Sequence, residues 1–318
     1  MINTKTGLEV FNDAALHIQN PPKGIPLNRW PTLNEIMGGM REHETTLFCA
    51  GTGTGKTQML ANIAVQLLEQ GEKAFIASVE TGATDFAVRM LSILARIDLN
   101  TGDAFGRDTF ERALTIHSDV LHKNLFFSTH DNRVDVADMI TTLNFMHEKH
   151  GVNVAIMDNL NFFLKVSKAA DMNQAYDEAI HAFVMAVKKI PMHIFIVMHP
   201  KKNESKTTQK ILSEFDIKGS STAVQEASNV LLMNRLDDEE IGALGDAYTR
   251  ELVFKKLRKR GAGVNKKFYL IYDGGAYVER AFTPTNASSG NANGRRIRPI
   301  NAGSPKVSNR KNDFYNND

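Results

Sequence analysis

The stretch Ala50 to Thr57, AGTGTGKT, constrains this 318-residue chain more than any other. The apolar run Thr46, Leu47, Phe48, Cys49 precedes it and the amphipathic QMLANIAVQLLEQ follows, which reads as a strand, a glycine turn and a helix N-terminus. Without a Cβ at Gly51, Gly53 and Gly55 the backbone can wrap closely around a phosphate and aim its N–H groups inward, and the helix dipole adds to the attraction. In such a phosphate-binding loop Lys56 reaches the β- and γ-phosphates and the Thr57 hydroxyl holds Mg²⁺. The strict pattern has Gly at its first position, where this chain has Ala50.

A strand feeding such a loop implies an α/β fold. Further strands are expected at 45–49, 73–79, 124–128, 152–157, 193–198, 230–234, 251–257 and 267–272. The early ones are near-continuous apolar runs, as in a mostly parallel central sheet with helices on both faces. The last two lie close together and predict an antiparallel hairpin at one edge. Residues 7–19, GLEVFNDAALHIQ, form a short helix stopped by Pro21 and Pro22, packed on its own domain or on a neighbouring subunit. Hence an N-terminal arm (1–23), one α/β domain (24–282), and a polar, basic tail (283–318) too poor in apolar side chains to fold.

Composition excludes several classes. Cys49 is the one cysteine, so there is no internal disulfide and no cysteine-built metal site, and its strand context predicts burial. No apolar run reaches the roughly 20 residues of a membrane span and no signal peptide is visible, so a cytoplasmic protein is expected. The formal charge of +2 hides a division: the tail carries six Lys or Arg against two acids, which leaves −2 on residues 1–282. Nucleic-acid contacts must then come from local clusters.

Other strand ends supply the chemistry. Asp158 closes the apolar strand VNVAIMD, where a carboxylate can meet Mg²⁺ through water. Glu80 follows the strand 73–79 and is placed to polarise a water, with a helix-capping acid as the plain alternative. His199 ends HIFIVM, in reach of a γ-phosphate. The polar segment after it carries Lys201, Lys202, Lys206 and Lys210, and Lys218, Gly219, Ser220 and Gln225 follow, a set suited to a nucleic-acid phosphate backbone. In FKKLRKR, Lys256 and Arg258 share one strand face, fitted to a γ-phosphate on a neighbouring subunit, to DNA, or to protecting a sheet edge.

Together these segments resemble the RecA-like motor domain of the superfamily-four hexameric helicases, the DnaB, Twinkle and phage primase-helicase group, over residues 24–280. GIPLNRWPTLNEIMGGM is similar to the family's lead-in turn, helix and Gly-Gly, and Ala50 is what many DnaB-type loops carry. SVETGATDFAVRMLSILAR resembles the second motif, IMDNLNFF the metal-binding strand, VMHPKK the sensor, KGSSTAVQEASNVLL the DNA-channel segment and K-x-R the arginine finger.

The resemblance implies a RecA-like P-loop NTPase. ATP or another NTP would bind Ala50, Gly51, Thr52, Gly53, Thr54, Gly55, Lys56, Thr57 and Gln58, with Arg89 in the helix after Glu80 and with Arg235 and Tyr272 flanking the base. Thr57 and Asp158 would hold Mg²⁺, Glu80 would orient water, His199 would report the γ-phosphate, and Lys256 and Arg258 would come from the next subunit. It implies a homo-oligomeric, hexameric ring moving 5′ to 3′ on single-stranded DNA held by Lys201, Lys202, Lys206, Lys218, Gly219, Ser220 and Gln225. The tail, ending NDFYNND, is solvated chain or a docking peptide for a primase, polymerase, loader or single-strand-binding protein. Residues 1–23 hold no primase or collar domain, so assembly is expected to rely on the motor domain, the arm or a partner. A filament-forming RecA- or RadA-like recombinase and a nucleotide-gated loading module share enough of these features to stand as alternatives.

Overall fold

The computed structural model describes residues 4–21, 23–97, 106–129, 134–164, 172–201, 211–219, 221–236, 249–258 and 263–280. The chain divides into two units, Met1–Phe282 and Thr283–Asp318, and all described residues fall in the first. The expected tail therefore lies outside them, as do Lys202, Lys206, Lys210 and Ser220.

A nine-stranded sheet organises the first unit, in the order β3-β2-β4-β5-β1-β6-β7-β8-β9. Its strands are β1 (Glu44–Ala50), β2 (Ala74–Ser78), β3 (Leu125–Phe127), β4 (Val154–Asp158), β5 (His193–Met198), β6 (Asn229–Arg235), β7 (Thr249–Leu257), β8 (Lys267–Asp273) and β9 (Ala276–Arg280). From β3 to β6 all pairs are parallel; from β6 to β9 all are antiparallel. Every residue of β1, β2, β4 and β5 is buried, because helices cover both faces of the parallel part.

Side chains alternate along each strand, so Phe48 and Ala50 enter one core and Leu47 and Cys49 the other. The first core is closed by α2 (Pro31–Met37), α3 (Lys56–Glu69), α4 (Ala83–Ala95) and one side of α5 (Gly106–Asn124). The second is closed by α6 (Val136–His150), α7 (Met172–Val187) and part of α8 (Ser221–Glu226). Cys49 is fully buried, as expected, and burial pushes its thiol up to about 12.

Two expectations need correction. The hairpin β7–β8 is not the edge of the sheet: β9 follows β8 across the two-residue turn Gly274–Gly275, both at positive φ, and takes the edge. The arm helix α1 (Gly7–Gln19) forms, with a Thr6–Glu9 capping box, but none of its residues is buried, so it does not pack on its own domain. The lead-in segment is held more tightly. A Cβ on Gly24 would lie 2.8 Å from the Gly39 Cα, and Trp30, fully buried, donates from Nε1 to the Tyr277 carbonyl at 2.9 Å. Among the described residues no helix is long and apolar enough to cross a membrane.

Candidate nucleotide site

The order β2-β4-β5-β1 brings four strand ends side by side, with Ser78 paired to Asp158 and Cys49 to Met198. Glu80, Asp158, His199 and the glycine loop thus line the crevice beyond the carboxyl ends of the sheet. Gly53 and Gly55 have φ of 70° and 102°, which explains two of the three glycines; Gly55 is also the N-cap of α3.

Lys56 is nearly buried, and its Nζ donates to the carbonyls of Ala50 and Gly51, both at 3.1 Å. Thr54 closes the loop through Oγ1 to the Gly51 carbonyl at 2.7 Å. The Thr57 hydroxyl donates to Asp158 Oδ2 at 3.4 Å, while Asp158 Oδ1 is buried and accepts no hydrogen bond among the described residues. Burial, then the neighbouring Glu80, raises Asp158 to about 6, against the pull of Lys56. Burial lowers Lys56 in turn. An unpaired buried carboxylate oxygen beside a hydroxyl is a fitting donor set for a hard cation such as Mg²⁺.

Glu80 is not the cap of the next helix, since Gly82 occupies that place and Asp85 is the first-turn acid. Its side chain is 41% exposed and its Oε2 lies 3.2 Å from His199 Nε2. Between them stands Asn159, which the sequence reading passed over: its Nδ2 donates to Glu80 Oε2 and lies 2.9 Å from His199 Nε2. Burial, then Lys56, lowers His199 below its ordinary value, opposed by Glu80.

Such a crevice is shared by many nucleotide-binding α/β proteins, so the comparisons with known proteins decide the family. The sequence model of the DnaB-like helicase C terminal domain matches residues 25–274. The chain belongs to that family. Its fold is similar to a solved structure whose title describes an ATPase domain, with a TM-score of 0.73 and 16% identity over 88% of this chain and 100% of that one. It is also similar to "The Structure Of A DnaB-Like Replicative Helicase And Its Interactions With Primase", with a TM-score of 0.70 and 16% identity over 87% of this chain and 67% of that one. The expected RecA-like helicase ATPase fold is therefore the one found, and membership makes the chain a helicase-type NTPase motor domain.

The other expected residues of this DnaB-like domain fall into separate groups. Gln58 is buried in α3; its amide donates to the Gly275 carbonyl and receives Arg89 Nη1 at 3.4 Å, tying α3 to α4 and to the β8–β9 turn. Arg235, at the end of β6, donates to the Gly53 carbonyl, and Tyr272 meets Tyr277 edge-on with centroids 5.8 Å apart. Two residues the sequence reading missed complete this side. Arg250, nearly buried, donates from Nε to the Thr54 carbonyl at 2.7 Å, and the Tyr277 hydroxyl stands where a Cβ on Gly55 would go. The paired aromatics Tyr272 and Tyr277 around a Gly-Gly turn were the available signal for β9; nothing marked Arg250 beyond a charge in a strand.

Lys256 and Arg258 sit at the far end of β7. Leu257 pairs with Asn229 while Arg250 pairs with Arg235, so the seven intervening steps put them roughly 20 Å along the strand from their own glycine loop. Lys256 Nζ donates to the carbonyls of Val224 (3.0 Å) and Gln225, and Arg258 Nη2 to those of Gln225 and Glu226 at 3.2 and 2.9 Å. Burial, then Arg258, lowers Lys256 to about 8. The expected DNA-contacting residues divide likewise. Lys201 follows His199, with Nζ donating to the Phe215 carbonyl at 3.1 Å, and Gly219 turns the chain after Lys218 at φ 94°; Gln225, exposed on α8, belongs instead with Lys256 and Arg258.

Proposed function

We propose that the chain is an ATP-driven DNA helicase motor that assembles into a hexameric ring and moves 5′ to 3′ on single-stranded DNA. The observation that carries this is the alignment of Glu80, Asp158 and His199 beside the glycine loop in a member of the DnaB-like family. Lys56 and the N–H groups of residues 51–57 bind the phosphates, Glu80 orients the attacking water, and His199 senses whether a γ-phosphate is present. Mg²⁺, held by Thr57 and Asp158, neutralises phosphate charge. Lys256 and Arg258, too far to serve their own loop, act on the neighbour's, where a guanidinium stabilises spread transition-state charge. Lys201, Lys218 and Gly219 follow His199 closely enough to pass loss of the γ-phosphate to bound DNA, and the exposed α1 docks on the adjacent subunit.

A forked-duplex assay tests the reading. Wild type should separate strands with ATP and Mg²⁺, and Lys56→Ala and Glu80→Gln should abolish both turnover and separation. ATP turnover without strand separation by wild-type rings would overturn it.

A further inference from the structure

Asn159 is 1% exposed, and its side chain makes contacts in three directions. Oδ1 accepts from the Asn161 N–H at 3.0 Å, as the cap of the 3-10 turn Leu160–Phe163. That N–H requires an oxygen, so the amide orientation is determined and Nδ2 must face the other way. There it meets Glu80 Oε2, an acceptor, and His199 Nε2 at 2.9 Å. The two Nδ2 protons match two acceptors, the carboxylate and an imidazole lone pair. The support extends one layer deeper, since the Tyr176 hydroxyl, on α7, donates to Asn161 Oδ1.

We infer that Asn159 is a positioning residue that ties the Glu80 carboxylate to the His199 ring, so that the water-orienting group and the γ-phosphate sensor are set by one amide. This rests on the reading of Glu80 and His199 given above. Neither side chain is held by packing alone, Glu80 being 41% exposed, so without the amide its carboxylate samples several rotamers. A displacement of about 1 Å at such a group costs on the order of 100-fold in rate.

Asn159→Asp keeps the size and the acceptor for the Asn161 N–H but replaces the donor with a second negative charge facing Glu80. In the full chain with Mg·ATP, kcat should fall about 100-fold while KM and the affinity for a fluorescent nucleotide analogue stay within about threefold. A role confined to folding would instead lower nucleotide affinity and the thermal midpoint together. Asn159→Ala supplies a double-mutant cycle that does not depend on the added charge: combined with Glu80→Gln it should be no slower than Glu80→Gln alone, because both act through one carboxylate. Full kcat in Asn159→Asp, or losses that multiply in the cycle, would refute the inference while leaving the proposed function standing. Wild type without ATP turnover, or Glu80→Gln with full turnover, would remove the proposed function and the inference with it.

Discussion

Replacing Arg250 with Met should cripple nucleotide binding without unfolding the domain. A trans peptide points its C=O and N–H in opposite directions. By drawing the Thr54 carbonyl toward its Nε at 2.7 Å, Arg250 aims the Gly55 N–H away from itself, where the proposed site needs a phosphate oxygen. The bond is charge-assisted and nearly buried, and Met retains the apolar stem while leaving the Thr54 carbonyl without this donor. Bonds of this kind contribute about 1.5–3 kcal/mol. If that energy holds the loop in its binding form, the dissociation constant for ATP rises by about 10- to 150-fold at 1.4 kcal/mol per tenfold. Arg250→Lys, which restores a donor without the planar fork, should fall between the two. Calorimetric titration with nucleotide, alongside circular dichroism, measures the effect. An affinity within threefold of wild type in folded Arg250→Met would show that the loop needs no such anchor.

Arg258→Ala should lower kcat by about 1,000-fold or more, and mixing it with Lys56→Ala should restore turnover that neither has alone, since each supplies the half-site the other lacks; no recovery in mixed rings would place Arg258 outside the neighbour's site. Gly55→Ala strains a φ of 102° and meets the Tyr277 hydroxyl, so the thermal midpoint should drop by several degrees and nucleotide binding weaken. Adding Tyr277→Phe should recover part of that loss, and failure to do so would clear the hydroxyl. His193 is fully buried between Thr46 Oγ1 and the Arg41 carbonyl, and burial lowers it to about 4. Between that value and the ordinary 6.5 the unfolded chain binds a proton that the folded one refuses, so stability falls as pH drops through this window, by about 2 kcal/mol at pH 5 relative to pH 7. Urea midpoints at the two pH values should differ accordingly and converge in His193→Gln. On α1, Leu8 and Phe11 are 73% and 78% exposed, so Leu8→Asp with Phe11→Asp should leave the thermal midpoint unchanged yet reduce ring formation in sedimentation runs. Undiminished rings would show that the helix docks on nothing.

Local chemistry was legible in the residues themselves. A glycine is needed where φ is positive, and Gly53 and Gly55 declare that in the sequence. Fully buried strands announce themselves as apolar runs, so the expected 45–49 and 193–198 came out as Glu44–Ala50 and His193–Met198. The arm helix was legible from its spacing and its cap, but what it packs on was not, because an apolar stripe records a need for burial without naming the surface. Asn159 escaped notice because an amide after a strand-terminal Asp reads as an ordinary turn.

What the chain alone determined, then, is which residue stands at the end of each strand: Glu80, Asp158, His199 and the glycine loop. Tertiary structure decided that they meet. Strand order follows from crossover connections that pack helices on both faces, and a periodicity of two or 3.6 carries no trace of which strands become neighbours. The order β2-β4-β5-β1 lets Glu80, Asn159 and His199, separated by 40 to 119 positions in the chain, share hydrogen bonds. The reversal from β6 to β7 carries Lys256 and Arg258 away from their own loop and leaves Arg250 beside it. A charge in a strand takes its role from the end of the sheet it reaches, and only the pairing register assigns that end.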